Sequence, residues 1–165
     1  MKTNWHIAGI AIFIFLFDQV TKLAIAKHLG YESERIIVPG FFKLVLWGNT
    51  GAAWSSFQGR NAILATIAIA ALVILFLIKD HFKQYGLCGR LSLGLLFGGI
   101  LGNLTDRLLW HHVIDFLYFY IVRRNGSEMG FPAFNVSDSA ISIGVALLLL
   151  SALRENRGKS ASLNS

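Results

Sequence analysis

The chain has a single cysteine, Cys88, among its 165 residues. No disulfide can therefore form within it, and the thiol is expected to stay reduced. Charge is scarce as well: Asp, Glu, Lys and Arg make up 15% of the sequence, against 55% apolar residues and a mean hydropathy of +0.58. So little charge cannot cover the surface of an ordinary soluble domain, and the apolar excess requires lipid. The net charge of +6 comes without any basic stripe interleaved with stacking aromatics. It fits attraction to anionic lipid headgroups and argues against nucleic acid as a partner. Neither H-E-x-x-H nor G-x-S-x-G occurs, which removes the best-known zinc-protease and serine-hydrolase signatures.

What the sequence does have is four apolar blocks, at residues 5–26, 62–78, 91–109 and 136–153. About 20 apolar residues cross a bilayer core as a helix, so each block is read as a span of one integral membrane domain covering residues 1–165. The first block is not a cleavable leader, because Asp18 and Lys22 interrupt it before Ala24-Ile25-Ala26. Between the spans lie two longer polar segments, 27–61 and 110–135, and a short one, 79–90, that holds Cys88. Positive residues are densest in the short segment (Lys79, Lys83, Arg90) and after the last span (Arg154, Arg157, Lys159). Lys27, Arg35, Lys43, Arg60, Arg123 and Arg124 are spread over the long segments. By density this favours both termini in the cytoplasm and the long segments outside, while the raw counts on the two sides are close. The tail at 156–165 is polar, rich in small residues and expected to be disordered.

In the first outer segment, Arg35-Ile36-Ile37-Val38 and Phe41-Phe42-Lys43-Leu44-Val45-Leu46-Trp47 flank Pro39-Gly40, the pattern of a small hairpin. Gly48-Asn49-Thr50-Gly51-Ala52-Ala53-Trp54 follows, either an ordinary turn or a place where the backbone comes close to a ligand. The second outer segment carries Phe116-Leu117-Tyr118-Phe119-Tyr120-Ile121-Val122, an aromatic run suited to the bilayer interface.

Polar residues gather at the outer ends of the spans. Asp18 and Lys22 are one helical turn apart, as a structural ion pair or a snorkelling lysine would be. Gly94, Gly98 and Gly102 recur every four residues and give the third span a face for close helix packing. Asn103 and Arg107 continue near that face and could hold a peptide carbonyl or a phosphate, or simply end the helix in a hydrogen-bond network. Asp106 stands beside Arg107, able to pair with it or with an outer-segment backbone group. Asp115 follows the third span and Asp138 opens the fourth, where Asn135 can cap the helix. Two carboxylates brought close do not both ionise easily, so one keeps a proton while the other activates water. The competing metal reading, His111 and His112 with Asp115, suffers because adjacent histidines point apart on a helix. A membrane-embedded binding or transport protein, using the same aspartates for a cation or lipid headgroup, is the non-enzymatic alternative. It predicts polar groups near the midplane instead of at one interface.

The blocks Asp18-Gln19-Val20-Thr21-Lys22, Asn49 to Trp54, Gly98 to Arg107, Val113-Ile114-Asp115-Phe116 and Phe134-Asn135-Val136-Ser137-Asp138-Ser139 resemble the ordered motifs of bacterial lipoprotein signal peptidases (signal peptidase II). The resemblance implies an all-α membrane protein of four transmembrane helices with a small extracytoplasmic β-cradle. It implies an aspartyl endopeptidase of the bacterial inner membrane, monomeric and without cofactor or metal. The substrate would be a prolipoprotein whose cysteine carries a diacylglyceryl group, cut just before that cysteine at the outer face, with membrane lipids as the other partner. By the same resemblance Asp115 and Asp138 form the catalytic dyad. Asn49, Asn103, Arg107 and Asn135 line the site and contact substrate or the inhibitor globomycin. Asp18, Lys22, Asp106 and Gly51 support them. Ser137 departs from the alanine usual at its position and Trp54 from the usual phenylalanine.

Overall fold

The structure is a computed structural model and describes residues 2–30, 33–51 and 59–163. Ala52 to Trp54 of the second motif lie outside the described residues. In chain order the elements are helix α1 (Lys2–His28), strands β1 (Glu34–Val38) and β2 (Phe42–Asn49) and helix α2 (Asn61–Ile78). A 3-10 turn (Lys79–Tyr85), helix α3 (Gly86–Leu109), strands β3 (Val113–Val122) and β4 (Glu128–Gly130) and helix α4 (Val136–Leu163) follow.

Each helix contains a stretch long and apolar enough to span a membrane, at Trp5–His28, Asn61–Phe82, Gly86–Leu109 and Val136–Glu155. The third is half buried within the protein and the second only 6%, so α3 is the central helix and α2 faces outward along most of its length. Large apolar side chains such as Phe13, Leu16, Ile67, Phe76, Leu149 and Leu153 remain exposed on the outer surfaces, as lipid contact requires.

Two boundaries differ from expectation. Helix α3 begins at Gly86 instead of residue 91, because the short connection is itself helical, a 3-10 turn running directly into the helix. Cys88 therefore sits in the first turn of α3 and not in a loop. Helix α4 continues to Leu163, so the backbone of 156–163 is helical, which differs from the disordered tail expected there. Extending an existing helix adds a hydrogen bond per residue without a new nucleation cost, and no proline interrupts the segment.

The glycine ridge determines how closely α1 and α3 approach. A Cβ on Gly94 would lie 2.6 Å from Ile10, one on Gly98 would lie 2.6 Å from the Ala11 carbonyl oxygen, and one on Gly102 would lie 2.6 Å from Asp18 Oδ2. On the adjoining face, a Cβ on Gly99 would lie 2.6 Å from the Ser137 carbonyl oxygen of α4. These glycines let both neighbouring helices contact the α3 backbone directly, so polar groups from α1, α3 and α4 meet at one end of the bundle.

That end is covered by an antiparallel sheet of order β1-β2-β3-β4. The Pro-Gly hairpin is β1 and β2, as its pattern predicts. The aromatic run is strand β3, held beside β2 by register and by ring contacts of Phe119 with Phe42 (4.8 Å) and Tyr118 with Trp47 (4.9 Å). Lys43, read from sequence as one of the outer positive charges, is 3% exposed. It lies between Glu34 of β1 (2.6 Å) and Glu128 of β4 (2.7 Å), above the Tyr118 and Tyr120 rings.

Candidate active site

A bulge in β2 aims the first site residue. Leu44 pairs with Leu117, but Trp47 pairs with Asp115 and Asn49 with Val113, so one extra residue has entered β2 between the two registers. Without it Asn49 would oppose His112, on the face away from Asp115. With it, Asn49 is the diagonal neighbour of Asp115 and donates from Nδ2 to Asp115 Oδ2 at 2.9 Å. The Asn49 Oδ1 accepts from the Gly51 backbone N–H at 2.9 Å, and Arg107 donates to the Gly51 carbonyl at 3.0 Å. Arg107 thus fastens the turn that presents Asn49. It does not pair with Asp106.

Asn135 caps α4 as expected: its Oδ1 accepts from the Asp138 backbone N–H at 2.9 Å, and Asp138 Oδ2 accepts from the Asn135 backbone N–H at 3.2 Å. This reciprocal pair is a capping box with aspartate in the glutamate position. The same asparagine donates from Nδ2 to Asp115 Oδ1 at 2.9 Å, so this one residue holds Asp115 through its side-chain amide and the Asp138 carboxylate through its backbone N–H. Asn103 donates from Nδ2 to Asp138 Oδ1 at 2.7 Å. Both oxygens of Asp115 and both of Asp138 therefore accept N–H donors.

Beneath the aspartates, Lys22 is 2% exposed and does not snorkel. Its ammonium meets Asp18 Oδ2 at 2.7 Å, Asp106 Oδ2 at 2.8 Å and Asn103 Oδ1 at 3.1 Å, which uses all three of its N–H donors. Asp18 Oδ1 accepts the Ser137 backbone N–H at 2.8 Å, and so serves the N-terminus of α4 from another helix. Asp106 Oδ2 accepts from the Ile114 backbone N–H at 3.2 Å, which holds the start of β3 one residue from Asp115.

Three further residues belong to this network. Gln19 donates to Asp106 Oδ1 at 3.0 Å, and Asn61 donates to the Arg107 carbonyl at 2.8 Å. Their signal in the sequence was a lone amide at the same outer depth as the aspartates. The third, Ser137, turns its hydroxyl toward Asp18 and Gly102, not toward Asp138. Its Oγ is fully buried and has no hydrogen-bond partner among the described residues. A buried, unsatisfied hydroxyl costs about 1–3 kcal/mol, so Ser137→Ala is expected to raise the thermal midpoint of the detergent-solubilised protein. A lower midpoint would show that the hydroxyl has a partner after all.

Asp115 is 3% exposed. Burial, and next the nearby charge of Asp138, push its carboxyl up to about 7, while hydrogen bonds from Asn49 and Asn135 and the charge of Lys22 pull it back down. Between about pH 4 and pH 7 the folded state thus binds a proton that the unfolded chain has released, so stability falls as pH rises through that window. Thermal midpoints in detergent across pH 4 to 8 should decline for the parent and decline less steeply for Asp115→Asn.

A groove of about 220 Å³ lies between α2, α3 and α4. Leu64, Ile67, Ile100 and Ile141 line it, and Asn103 and Arg107 stand among its lining residues. Among the described residues, no group of three or more His, Cys, Asp or Glu is placed to hold a metal ion. His111, with φ of 61°, forms the left-handed turn between α3 and β3.

Four membrane-length helices capped by a small sheet, with two hydrogen-bonded carboxylates beneath it, define a membrane-embedded enzyme. A solved bacterial membrane enzyme, determined by the in meso method at 2.3 Å, has the same fold, with a TM-score of 0.80 and 35% identity over 91% of this chain and 88% of that one. The family model for signal peptidase (SPase) II matches residues 10–154. The lipoprotein signal peptidase of Paraburkholderia phymatum is 46% identical over 155 residues, 91% of this chain and 89% of that protein. The lipoprotein signal peptidase of Burkholderia multivorans is 45% identical over the same shares. The chain belongs to the signal peptidase II family.

Proposed function

We propose that this chain is an aspartyl endopeptidase that removes the signal peptide from prolipoproteins, with Asp115 and Asp138 as its dyad. One observation carries the reading: two carboxylates held by Asn135, one by its side-chain amide and the other by its backbone N–H, with every oxygen accepting a donor and Asp115 pushed up to about 7. Such a pair retains one proton near neutral pH. The ionised aspartate takes a proton from water as its oxygen adds to the scissile carbonyl carbon. The protonated partner donates to the carbonyl oxygen and then the proton passes to the leaving nitrogen as the C–N bond breaks. The products are the carboxylate of the signal peptide and the free amine of the cysteine.

The apolar groove ending at Asn103 and Arg107 suits a substrate that enters from the bilayer. We place the cut just before a cysteine carrying a diacylglyceryl group, whose acyl chains stay in lipid while the peptide bond reaches the dyad. Both termini lie in the cytoplasm and the site at the outer face of the bacterial inner membrane. The enzyme works as a monomer without a cofactor, and globomycin competes at Asn49, Asn103, Arg107 and Asn135. The peptidase names of the relatives favour this over a binding or transport role.

Purified protein in detergent is expected to cut a diacylglyceryl-modified prolipoprotein at the bond before the modified cysteine, as read by mass spectrometry, and to leave the unmodified precursor intact. A folded parent that leaves both substrates whole would overturn the reading, and equal cleavage of both would remove the lipid requirement.

A further inference from the structure

The buried cluster of α1 has no place in the bond-breaking steps, yet it touches the dyad through one side chain. Lys22 Nζ can only donate, so the Asn103 atom at 3.1 Å from it must be the amide oxygen. The other end of that amide, Nδ2, then necessarily faces Asp138 Oδ1 at 2.7 Å. A lone asparagine beside a carboxyl that gains and loses a proton has two choices: it donates to the carboxylate, or turns over and accepts from the acid. The Asn135 Nδ2 at 3.2 Å from Asn103 Oδ1 reinforces one choice, and the ammonium enforces it.

We infer that Lys22 is a positioning residue of the reaction, which locks the Asn103 amide as a donor toward Asp138 and so determines the protonation state in which the dyad works. The inference rests on the peptidase reading given above. Around the ammonium stand Asp18 on α1 and Asp106 on α3. Its charge reaches Asp115 on β3 and Asp138 on α4, and Arg107 is the other cation near those carboxylates. Asp18 and Asp106 hold Lys22 in place and are themselves anchored, to the Ser137 and Ile114 backbones, so the lysine is aimed from both sides. Removing its charge takes a stabilising cation from the ionised dyad, which would then keep its proton to higher pH.

The test uses full-length protein in detergent and a diacylglyceryl-modified prolipoprotein. In Lys22→Met the alkaline limb of kcat/KM is expected to move up by about one pH unit. With the folded fraction measured at each pH and divided out, a purely structural lysine would leave that limb unmoved. In Lys22→Met/Asp18→Asn/Asp106→Asn the buried charges are removed together, which restores a thermal midpoint close to the parent's. Turnover should nevertheless stay about tenfold or more below the parent's with KM little changed, because the amide is no longer locked. An unmoved limb in the single variant, or parental kcat in the folded triple variant, would overturn the inference while leaving the peptidase reading intact. Failure of the parent to cleave would instead remove the reading on which it rests.

Discussion

Replacing either Asp115 or Asp138 with asparagine is expected to lower turnover of a diacylglyceryl-modified prolipoprotein by about 10³-fold or more per folded molecule. Asparagine has nearly the shape of aspartate and keeps the packing, although its Nδ2 faces one N–H donor that the carboxylate accepted, so the comparison is made on the folded fraction. What disappears is the ability to take a proton from water or to hand one on. The two single losses should not multiply in the double variant, because either removal already dismantles a pair that acts as a unit. Asp106→Asn is the informative contrast. That side chain holds Lys22 and the Ile114 backbone N–H, so its change should act mainly on stability and on the placement of β3. Activity surviving in either dyad variant would exclude that residue from the chemistry and return Asp106 to consideration.

The second large effect is expected far from the carboxylates. Gly98→Leu should cost more than about 3 kcal/mol, beyond the usual range for overpacking, and leave little folded protein in detergent. A Cβ there already lies 2.6 Å from the Ala11 carbonyl oxygen and 2.8 Å from Ile14 Cβ. Backbone cannot rotate aside as a side-chain tip can, so α1 would have to leave α3 and carry Asp18 and Lys22 with it. Gly9→Leu provides the control, since nothing lies within 4 Å of a Cβ at that exposed helical position. Leucine is the better helix former by about 0.8 kcal/mol, so that variant should be as stable as the parent or slightly more so. Equal thermal midpoints for the two would show that the helices do not pack through the glycine ridge.

These two predictions draw on different parts of what was legible in the sequence. The spans, the Pro-Gly hairpin, the glycine ridge and the Asn135 cap follow from local pattern, and the structure contains each of them. Strand β3 did not read as a strand, because from Phe116 to Val122 both of its faces are apolar or aromatic and no alternation marks it. The start of α3 was misplaced because charged residues at 79–90 resemble a loop, whereas Lys79, Asp80 and Lys83 tolerate a helical turn. Nothing local reveals the extra residue in β2, which is a property of pairing with a strand more than sixty positions away. Spacing showed Asp18 and Lys22 as a pair. It could not show that Asp106 and Asn103, some eighty residues on, complete the lysine's coordination. Arg107 was expected to meet substrate, and its observed hold on the Gly51 carbonyl became visible only with the turn in place.

Asn135 ties the folding of one helix end to the placement of the two proposed catalytic carboxylates. Its carbonyl oxygen atom Oδ1 begins α4 and its amide nitrogen Nδ2 holds Asp115, so the side chain cannot abandon one duty and keep the other. Fraying of the first turn of α4 would release Asp138 from its backbone partner and Asp115 from one of its two donors in the same event. Loss of the helix start therefore loosens both proposed dyad carboxylates together, each keeping only its other donor, Asn49 for Asp115 and Asn103 for Asp138.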